Sequence, residues 1–454
     1  MSIFKEETNQ DTELFIFSAE TVPALIEQIR EAWKSVLNSD AEIFVALSAK
    51  LAEEINDVHK VRAAVIAGSV EDLVNQLEEA AAKLEEKLDS GDLIEEHRAG
   101  LFAGNSVNKS RVGFLFPGQG SQQLNMTRTL VERHDWAREI VEKSAGWLED
   151  AGIFDLPGKV YRNSNAAADN DEIKKWQAEL TKTENAQPAI CLSAMLWLNY
   201  LERLGINSEV VGGHSLGELS AFFAGGAFDA ETLMRLVAAR AKAMANVKKE
   251  GAMCALMCDE KRANELIESI DGYVVVANIN SPRQTIISGD ISAIDEAVKL
   301  AAEEKVRGKK LPVSNAFHSE FVKEAADKLL EIDIFENCVP KNTGSRLPKI
   351  ISSVNGKEVP HDLDLRLHFS TQVISRVDFI SMLKTISDNC DFMIEVGPGR
   401  VLTGLVGNIS KSVVCLPIES SPSIARDLNT VLASYFVRGG KVNWSELFSN
   451  RLSG

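Results

Sequence analysis

No apolar run in this 454-residue sequence approaches the roughly 18 residues that a bilayer-spanning helix requires, so no membrane partner is expected. Positive charge is also short: 49 Lys and Arg against 66 Asp and Glu leave a net charge of −17. That is the wrong sign for a nucleic-acid partner. The opening MSIFKEETNQDTELFIF lacks a basic stretch followed by an apolar one, the pattern of a secretory leader, so a cytoplasmic location is expected. Cysteine is limited to six residues, at 191, 254, 258, 338, 390 and 415, mostly inside apolar strings such as AICLSAM and SVVCLPI. They read as buried thiols. Only Cys254 and Cys258 are close, and no second Cys or His pair accompanies them, so neither a metal nor a disulfide is expected. Internal repeats and low-complexity tracts are missing as well.

What the chain does have is length, a 45% hydrophobic composition and a strongly patterned order. A chain this long exceeds one compact core and divides into several domains. Residues 12–104 alternate apolar and helically spaced runs (ELFIFSA, TVPALIEQIREAWKSVL, EIFVALSAKLAEEI, KVRAAVIAG, SVEDLVNQLEEAAAKLEEKL, AGLFAG), the pattern of a small α/β domain. The polar GNSVNKS at 104–110 separates it from the next unit. Residues 251–314 read strand, helix, strand, strand, helix, strand, a βαββαβ order that is expected to form a ferredoxin-like unit inserted into a larger α/β domain. The end, DLNTVLASYFVRGGKVNWSELF, reads as a helix and a turn that pack back on the body.

The sharpest local signal is VVGGHSLGELSAFF at 210–223. G-x-S-x-G alone is a weak pattern, but here a short apolar strand turns at once into a helix, the context that lifts a serine hydroxyl above a sheet. A serine needs a base in reach and donors for the oxyanion formed on attack. The chain has seven histidines. His59, His97 and His134 stand beside charged residues and read as solvated surface; His214 adjoins Ser215 but should point away from it. His318 in VSNAFHSEF is the leading base, with His361 and His368 as weaker candidates.

At this point the residues resemble a known family. FPGQGSQ at 116–122, GHSLGE at 213–218, Arg240 in LMRLVAAR, NAFHS at 315–319 and EVGPGRVLTGL at 395–405 are similar to the motifs of malonyl-CoA:acyl-carrier-protein acyltransferases, in the same order. Residues 12–104 resemble the linker domain that joins ketosynthase to acyltransferase in polyketide synthases, and FVRGGKVNWSELF resembles the tail that closes such acyltransferase domains.

The resemblance implies a role for each matching residue. Ser215 would take the acyl group as an ester, and His318 would activate it and later the incoming thiol. The family's histidine is oriented by a backbone carbonyl, and Gln372 lies where that carbonyl is supplied. The N–H groups of Gln119 and Leu216 would form the oxyanion hole, and Arg240 would pair with the malonyl carboxylate. Phe317, bulky at the selectivity position, implies exclusion of branched extender units, while Asn315 departs from the His-Ala-Phe-His usual in malonyl-specific domains. No permanent cofactor is implied; coenzyme A arrives as the thioester, and a phosphopantetheine arm belongs to the carrier protein, with a ketosynthase domain as neighbour. Because no ketosynthase motif is present, the chain is expected to be a piece of a larger synthase.

The implied architecture is a linker domain over 1–108, a large α/β-hydrolase-like subdomain over 109–250 and 315–420, a ferredoxin-like subdomain over 251–314, and a C-terminal segment over 421–454. An acidic carrier protein would need a local basic patch, for which Arg111, Arg307, Lys309, Lys310 and Arg400 are candidates. The competing readings are a thioester hydrolase and a non-catalytic docking domain. An intact Ser215, His318, Arg240 and Gln119 speaks against the last.

Overall fold

Strands Glu13–Ala19 and Val61–Ala67 are buried along their whole length, so they carry apolar residues on both faces, unlike a sheet with one side in water. Side chains alternate across a strand. Phe15, Phe17 and Val65 therefore pack with Leu25, Ile29, Leu73 and Leu77 of the helices Val22–Val36 and Val70–Lys87, whereas Leu14, Ile16, Ile66 and Phe102 join a second core with Val431, Leu432 and Phe436 of the helix Ala425–Val437. The sheet is antiparallel throughout, in the order Glu13–Ala19, Val61–Ala67, Leu101–Asn105, Ile94–Glu96. The structure, a computed structural model, describes residues 10–37, 43–87, 93–105, 109–162, 169–313, 315–337 and 347–451.

A second sheet carries five parallel strands in the order Lys349–Ile351, Val210–Gly213, Val112–Phe116, Phe392–Pro398, Val414–Glu419. Parallel strands need crossover helices, which cover both faces. Phe114, Phe116 and Val211 pack with Ile190, Leu192 and Leu196 of the helix Thr183–Arg203 on one side. Leu115, Val210 and Met393 meet Phe379, Met382 and Leu402 on the other. All strands of this sheet end on the same edge, where a ligand crevice forms in open parallel sheets.

The third sheet has the order Gly308–Lys310, Ala252–Leu256, Gln284–Gly289, Val274–Ser281, Val377–Asp378. Its first four strands are antiparallel and come from the βαββαβ stretch, with the helices Glu260–Ile267 and Ile291–Glu303 between them. Val377–Asp378 adds a parallel edge strand from far downstream. Among the described cysteines, Cys191, Cys254, Cys390 and Cys415 are buried, Cys258 is half-buried and all are free; Cys338 lies outside the described residues. No helix among the described residues is long and apolar enough to cross a membrane.

Candidate active site

Ser215 stands between the strand Val210–Gly213 and the helix Gly217–Ala224 with φ at 52°, a left-handed conformation that is strained for a residue with a side chain. Its two flanking glycines make the turn possible. A Cβ on Gly213 would lie 2.1 Å from the Gly217 carbonyl, and one on Gly217 would lie 2.0 Å from the Phe116 carbonyl oxygen. The chain can therefore fold back on itself only with hydrogen at both positions.

The turn raises the Ser215 hydroxyl to 2.7 Å from Nε2 of His318. His318 is itself at φ 57°, and its backbone N–H donates to the Val373 carbonyl at 3.2 Å. Burial above all, and then the charge of Arg240, push the imidazole down to about 3. It is held as a neutral ring, able to accept a proton from the serine. Its Nδ1 faces the carbonyl oxygen of Ser375 at 2.8 Å. The family resemblance placed that carbonyl at Gln372. The helix Leu365–Gln372 ends there, and the ring reaches into the turn beyond it, so Ser375 supplies the bond while the Gln372 backbone has a smaller influence. The Gln372 side chain does something else: its Nε2 donates to the Ser215 carbonyl oxygen at 2.7 Å.

Leu216 and Gln119 offer their backbone N–H groups freely, for neither N–H donates to a backbone carbonyl among the described residues. Leu216 also sits at the start of a helix, where the peptide dipoles favour negative charge. Gln119 is fixed through its side chain, with Nε2 on the Thr183 hydroxyl at 3.2 Å and Oε1 accepting from Gln187 Nε2 at 3.2 Å.

Arg240, on the helix Ala230–Ala245, is among the most completely buried large side chains. One guanidinium nitrogen, Nη1, donates to Gln187 Oε1 at 2.8 Å. Nε and Nη2 are buried without a partner among the described residues. Burial pushes the group down to about 10, against the opposing influence of Cys191 and Glu218. It remains cationic at neutral pH. A planar two-donor fork held in a dry site fits a carboxylate. Gln187 thus ties Arg240 to the Gln119 loop, a link the sequence reading missed. Its signal was a Gln beside Pro188 in the otherwise apolar AQPAICLSAM.

Phe317 and Asn315 are both buried, and Asn315 Nδ2 donates to the Met244 carbonyl at 3.1 Å, which binds the NAFHS loop to the end of the Arg240 helix. His214 points away from the serine and faces Asn280 Oδ1 at 2.8 Å. Of the other histidines, His361 is exposed and His368 faces Glu218, so neither meets Ser215. The reading of His59, His97 and His134 as solvated surface does not hold. His134 is buried against Trp136 and Tyr200, His97 is half-buried and stacks on Phe102, and His59 is half-buried beside Ser18, because each lies in a turn or junction that folds its ring onto the neighbouring core rather than into water. Of the five candidate docking cations, Arg307, Lys309 and Lys310 lie at or beside the strand Gly308–Lys310 of the third sheet, and Arg111 lies apart from them. Arg111 precedes the strand Val112–Phe116, at the edge of the parallel sheet opposite Ser215, where it pairs with Asp391 at 2.7 Å. Lys310 is paired with Asp295 at 2.6 Å. Among the described residues no group of three or more His, Cys, Asp or Glu is placed to hold a metal ion.

The family model described as acyl transferase domain matches residues 113–429. The malonyl CoA-acyl carrier protein transacylase of Bacillus subtilis is 31% identical over 334 residues, which is 71% of this chain and 98% of that one. Erythronolide synthase of Saccharopolyspora erythraea is 29% identical over 439 residues, covering 95% of this chain but only 12% of the synthase. Among solved structures, the acyltransferase domain of an iterative polyketide synthase in enediyne biosynthesis superposes with a TM-score of 0.74 at 24% identity, covering 98% of this chain and all of that one, a likeness of fold.

Proposed function

This chain belongs to the acyl transferase domain family, and from that premise we propose that it moves malonyl groups from coenzyme A to the phosphopantetheine thiol of an acyl carrier protein by way of Ser215. Ser215 attacks the thioester carbonyl while His318 takes its proton. The oxyanion is met by the N–H groups of Leu216 and Gln119, and as the C–S bond breaks the imidazolium returns the proton to the departing coenzyme A thiol. The carrier's thiol then enters, gives its proton to His318 and attacks the malonyl ester; collapse of the second oxyanion releases Ser215, which recovers the proton. Ser375 orients the imidazole throughout.

The observation that carries this reading is Arg240: a buried guanidinium with two nitrogens that have no partner among the described residues, in the site that holds Ser215 and His318. A carboxylate at the far end of the acyl group completes it. A hydrolase of neutral acyl chains would gain nothing from such a seat. Phe317 and Asn315 would limit what fits beside the malonyl carbon, and a bulky Phe317 favours an unbranched unit.

In this reading residues 1–108 are a linker domain, 109–250 with 315–420 an α/β-hydrolase-like subdomain, 251–314 a ferredoxin-like subdomain, and 421–454 a closing segment. The sheets support the division, since each draws its strands from one of these spans except for Val377–Asp378. Strand order in the small sheet, fourth-first-third-second, supports the ferredoxin-like comparison. A ketosynthase neighbour and a cytoplasmic location belong to the same proposal.

Mixing the protein with malonyl-CoA and weighing it intact tests the reading. One malonyl ester should appear on the wild type and none on Ser215→Ala, and stable loading of the Ala variant would refute the assignment. His318→Ala should slow loading by roughly 10²–10⁴-fold.

A further inference from the structure

Beneath the turn that carries Ser215 lies a carboxylate that no step of the transfer uses. Glu218 is fully buried in the first turn of the helix Gly217–Ala224. Its oxygens accept from the Ser353 N–H at 3.2 Å, the Ser353 hydroxyl at 2.7 Å, His368 Nε2 at 3.3 Å and Gln372 Nε2 at 3.1 Å. Burial works to raise this carboxyl, but His368 and the serine donors together outweigh it and hold it below the usual range.

The Gln372 amide is shared. The nitrogen that reaches Glu218 also donates to the Ser215 carbonyl oxygen at 2.7 Å, and that oxygen accepts the Glu218 backbone N–H at 3.1 Å as well. The amide oxygen of Gln372 is buried and has no partner among the described residues. Turning the amide over would set its oxygen against two acceptors, so its orientation is dictated by its surroundings. An apolar side chain would avoid the unpartnered oxygen, and the amide therefore has a use other than stability.

That use follows from the geometry of one peptide unit. The Ser215 carbonyl and the Leu216 N–H belong to the same planar trans peptide and point in opposite directions from it. Whatever clamps the carbonyl end aims the N–H end, which is the group offered to the oxyanion. The clamp acts on a residue held at φ 52°, a conformation that persists only where its surroundings over-determine it. We propose that Gln372 and Glu218 are positioning residues for the oxyanion hole: the Glu218 carboxylate holds the Gln372 amide against the Ser215 carbonyl and so keeps the Leu216 N–H on target. Donors on the carbonyl also polarise the peptide and strengthen its N–H. His368 and Gln372, four residues apart on one helix face, both reach Glu218, and the Ser375 carbonyl that meets His318 follows the same helix. One carboxylate thus fixes the nucleophile turn relative to the support of the base.

This inference rests on the acyl-transfer reading, which the wild type tests alone: no acyl-Ser215 in the wild type would remove both. Given acylation, the rate constant for ester formation is measured against malonyl-CoA concentration for the wild type, Gln372→Ala, Gln372→Met, Glu218→Gln and the double variant Gln372→Ala/Glu218→Gln. Gln372→Ala should lower the limiting rate about 10- to 100-fold, somewhat less than outright loss of an oxyanion donor. The half-saturating concentration should stay within about 3-fold, because the Arg240 seat is untouched. Gln372→Met keeps the length without the donor and should match Gln372→Ala. The double variant should be no slower than Gln372→Ala, since the carboxylate acts through the amide. A loss carried by the half-saturating concentration, rescue by Met, or losses that multiply in the double variant would overturn the proposal. Should Glu218→Gln not fold, the Ala and Met variants decide it.

Discussion

In the proposed transfer Arg240 reads the acyl group by charge, and removing it should separate recognition from chemistry. Truncating one partner of a buried charged pair costs about 2–5 kcal/mol, so Arg240→Ala should slow malonyl loading by roughly 30- to 3000-fold. Acetyl-CoA carries no carboxylate and should load on the variant as fast as on the wild type, or faster; equal proportional losses for both substrates would mean that Arg240 only holds the fold. His318 makes a second prediction. Its ring is held down to about 3 by burial and then by Arg240, so it stays neutral far into acid. An ordinary imidazole titrating near 6.5 would be about 30-fold less available at pH 5 than at neutral pH. We expect kcat/KM for loading to stay level from pH 7.5 to 5, and a fall centred near 6.5 would contradict the burial. Ser215, His318 and Arg240 were legible in the sequence because each lies in a local string whose residue types match its chemistry. Gln187 and Ser375 were not: one acts through a side chain and the other through a carbonyl, and only tertiary contact reveals what either faces.

At the scale of elements, the strand-turn-helix around Ser215 depends on two absent methyl groups. Gly217→Ala would drive a Cβ to within 2.0 Å of the Phe116 carbonyl oxygen, and neither backbone can yield without moving the serine. We expect acylation to be lost and the thermal midpoint to fall, whereas a variant with wild-type loading would show the turn to be pliable. The end of the parallel sheet carries a different liability. Glu419, which accepts from the Thr127 N–H at 2.7 Å and Trp197 Nε1 at 2.9 Å, is pushed up to about 7 by burial. The folded chain keeps this proton to about pH 7 while the unfolded chain releases it near 4.5. The stabilisation is therefore full below pH 4.5 and disappears as pH rises through 7. The buried histidines act in the opposite sense below 6.5, so the informative quantity is a difference: the change in Tm between pH 5 and 8 should be more favourable toward pH 8 in Glu419→Gln than in the wild type. Most elements were readable from periodicity, the βαββαβ run above all, because each alternation is local. EIFVALSAKLAEEI opens on a β-branched and aromatic run yet is helical over Ile43–Glu53, since its later residues and its packing outweigh its opening propensity. Val377–Asp378 is too short to announce itself and is a strand only because Asn278–Ile279 lies beside it.

Across the whole molecule, the N-terminal sheet is held to the body by contacts between residues very far apart in the chain. Arg62 donates to the carbonyls of Phe436 at 3.1 Å and Gly440 at 2.6 Å, Arg438 pairs with Glu95 at 2.6 Å, and Arg451 forms a buried ion pair with Glu13. Burial raises the Glu13 carboxyl in spite of Arg451, so the pair is costly to break and costly to keep. Arg451→Ala should lower stability by about 3–5 kcal/mol at pH 8, and by less at pH 5, where Glu13 can take up a proton. Urea unfolding at the two pH values reads this directly, and an equal loss at both would show that the guanidinium acts by packing alone. These contacts also set a clock. During synthesis the strands ending at Asn105 are complete about 320 residues before the helix starting at Ala425 appears. At translation rates of about 5–20 residues per second, that interval lasts roughly a quarter of a minute to a minute. Throughout it Leu14, Ile16, Ile66 and Phe102, buried in the finished molecule, have only the short helix Ile43–Glu53 to shelter them. The nascent sheet is thus sticky on one side for a time fixed by the ribosome, and the yield of native protein should depend on elongation speed as much as on the strength of the finished interface.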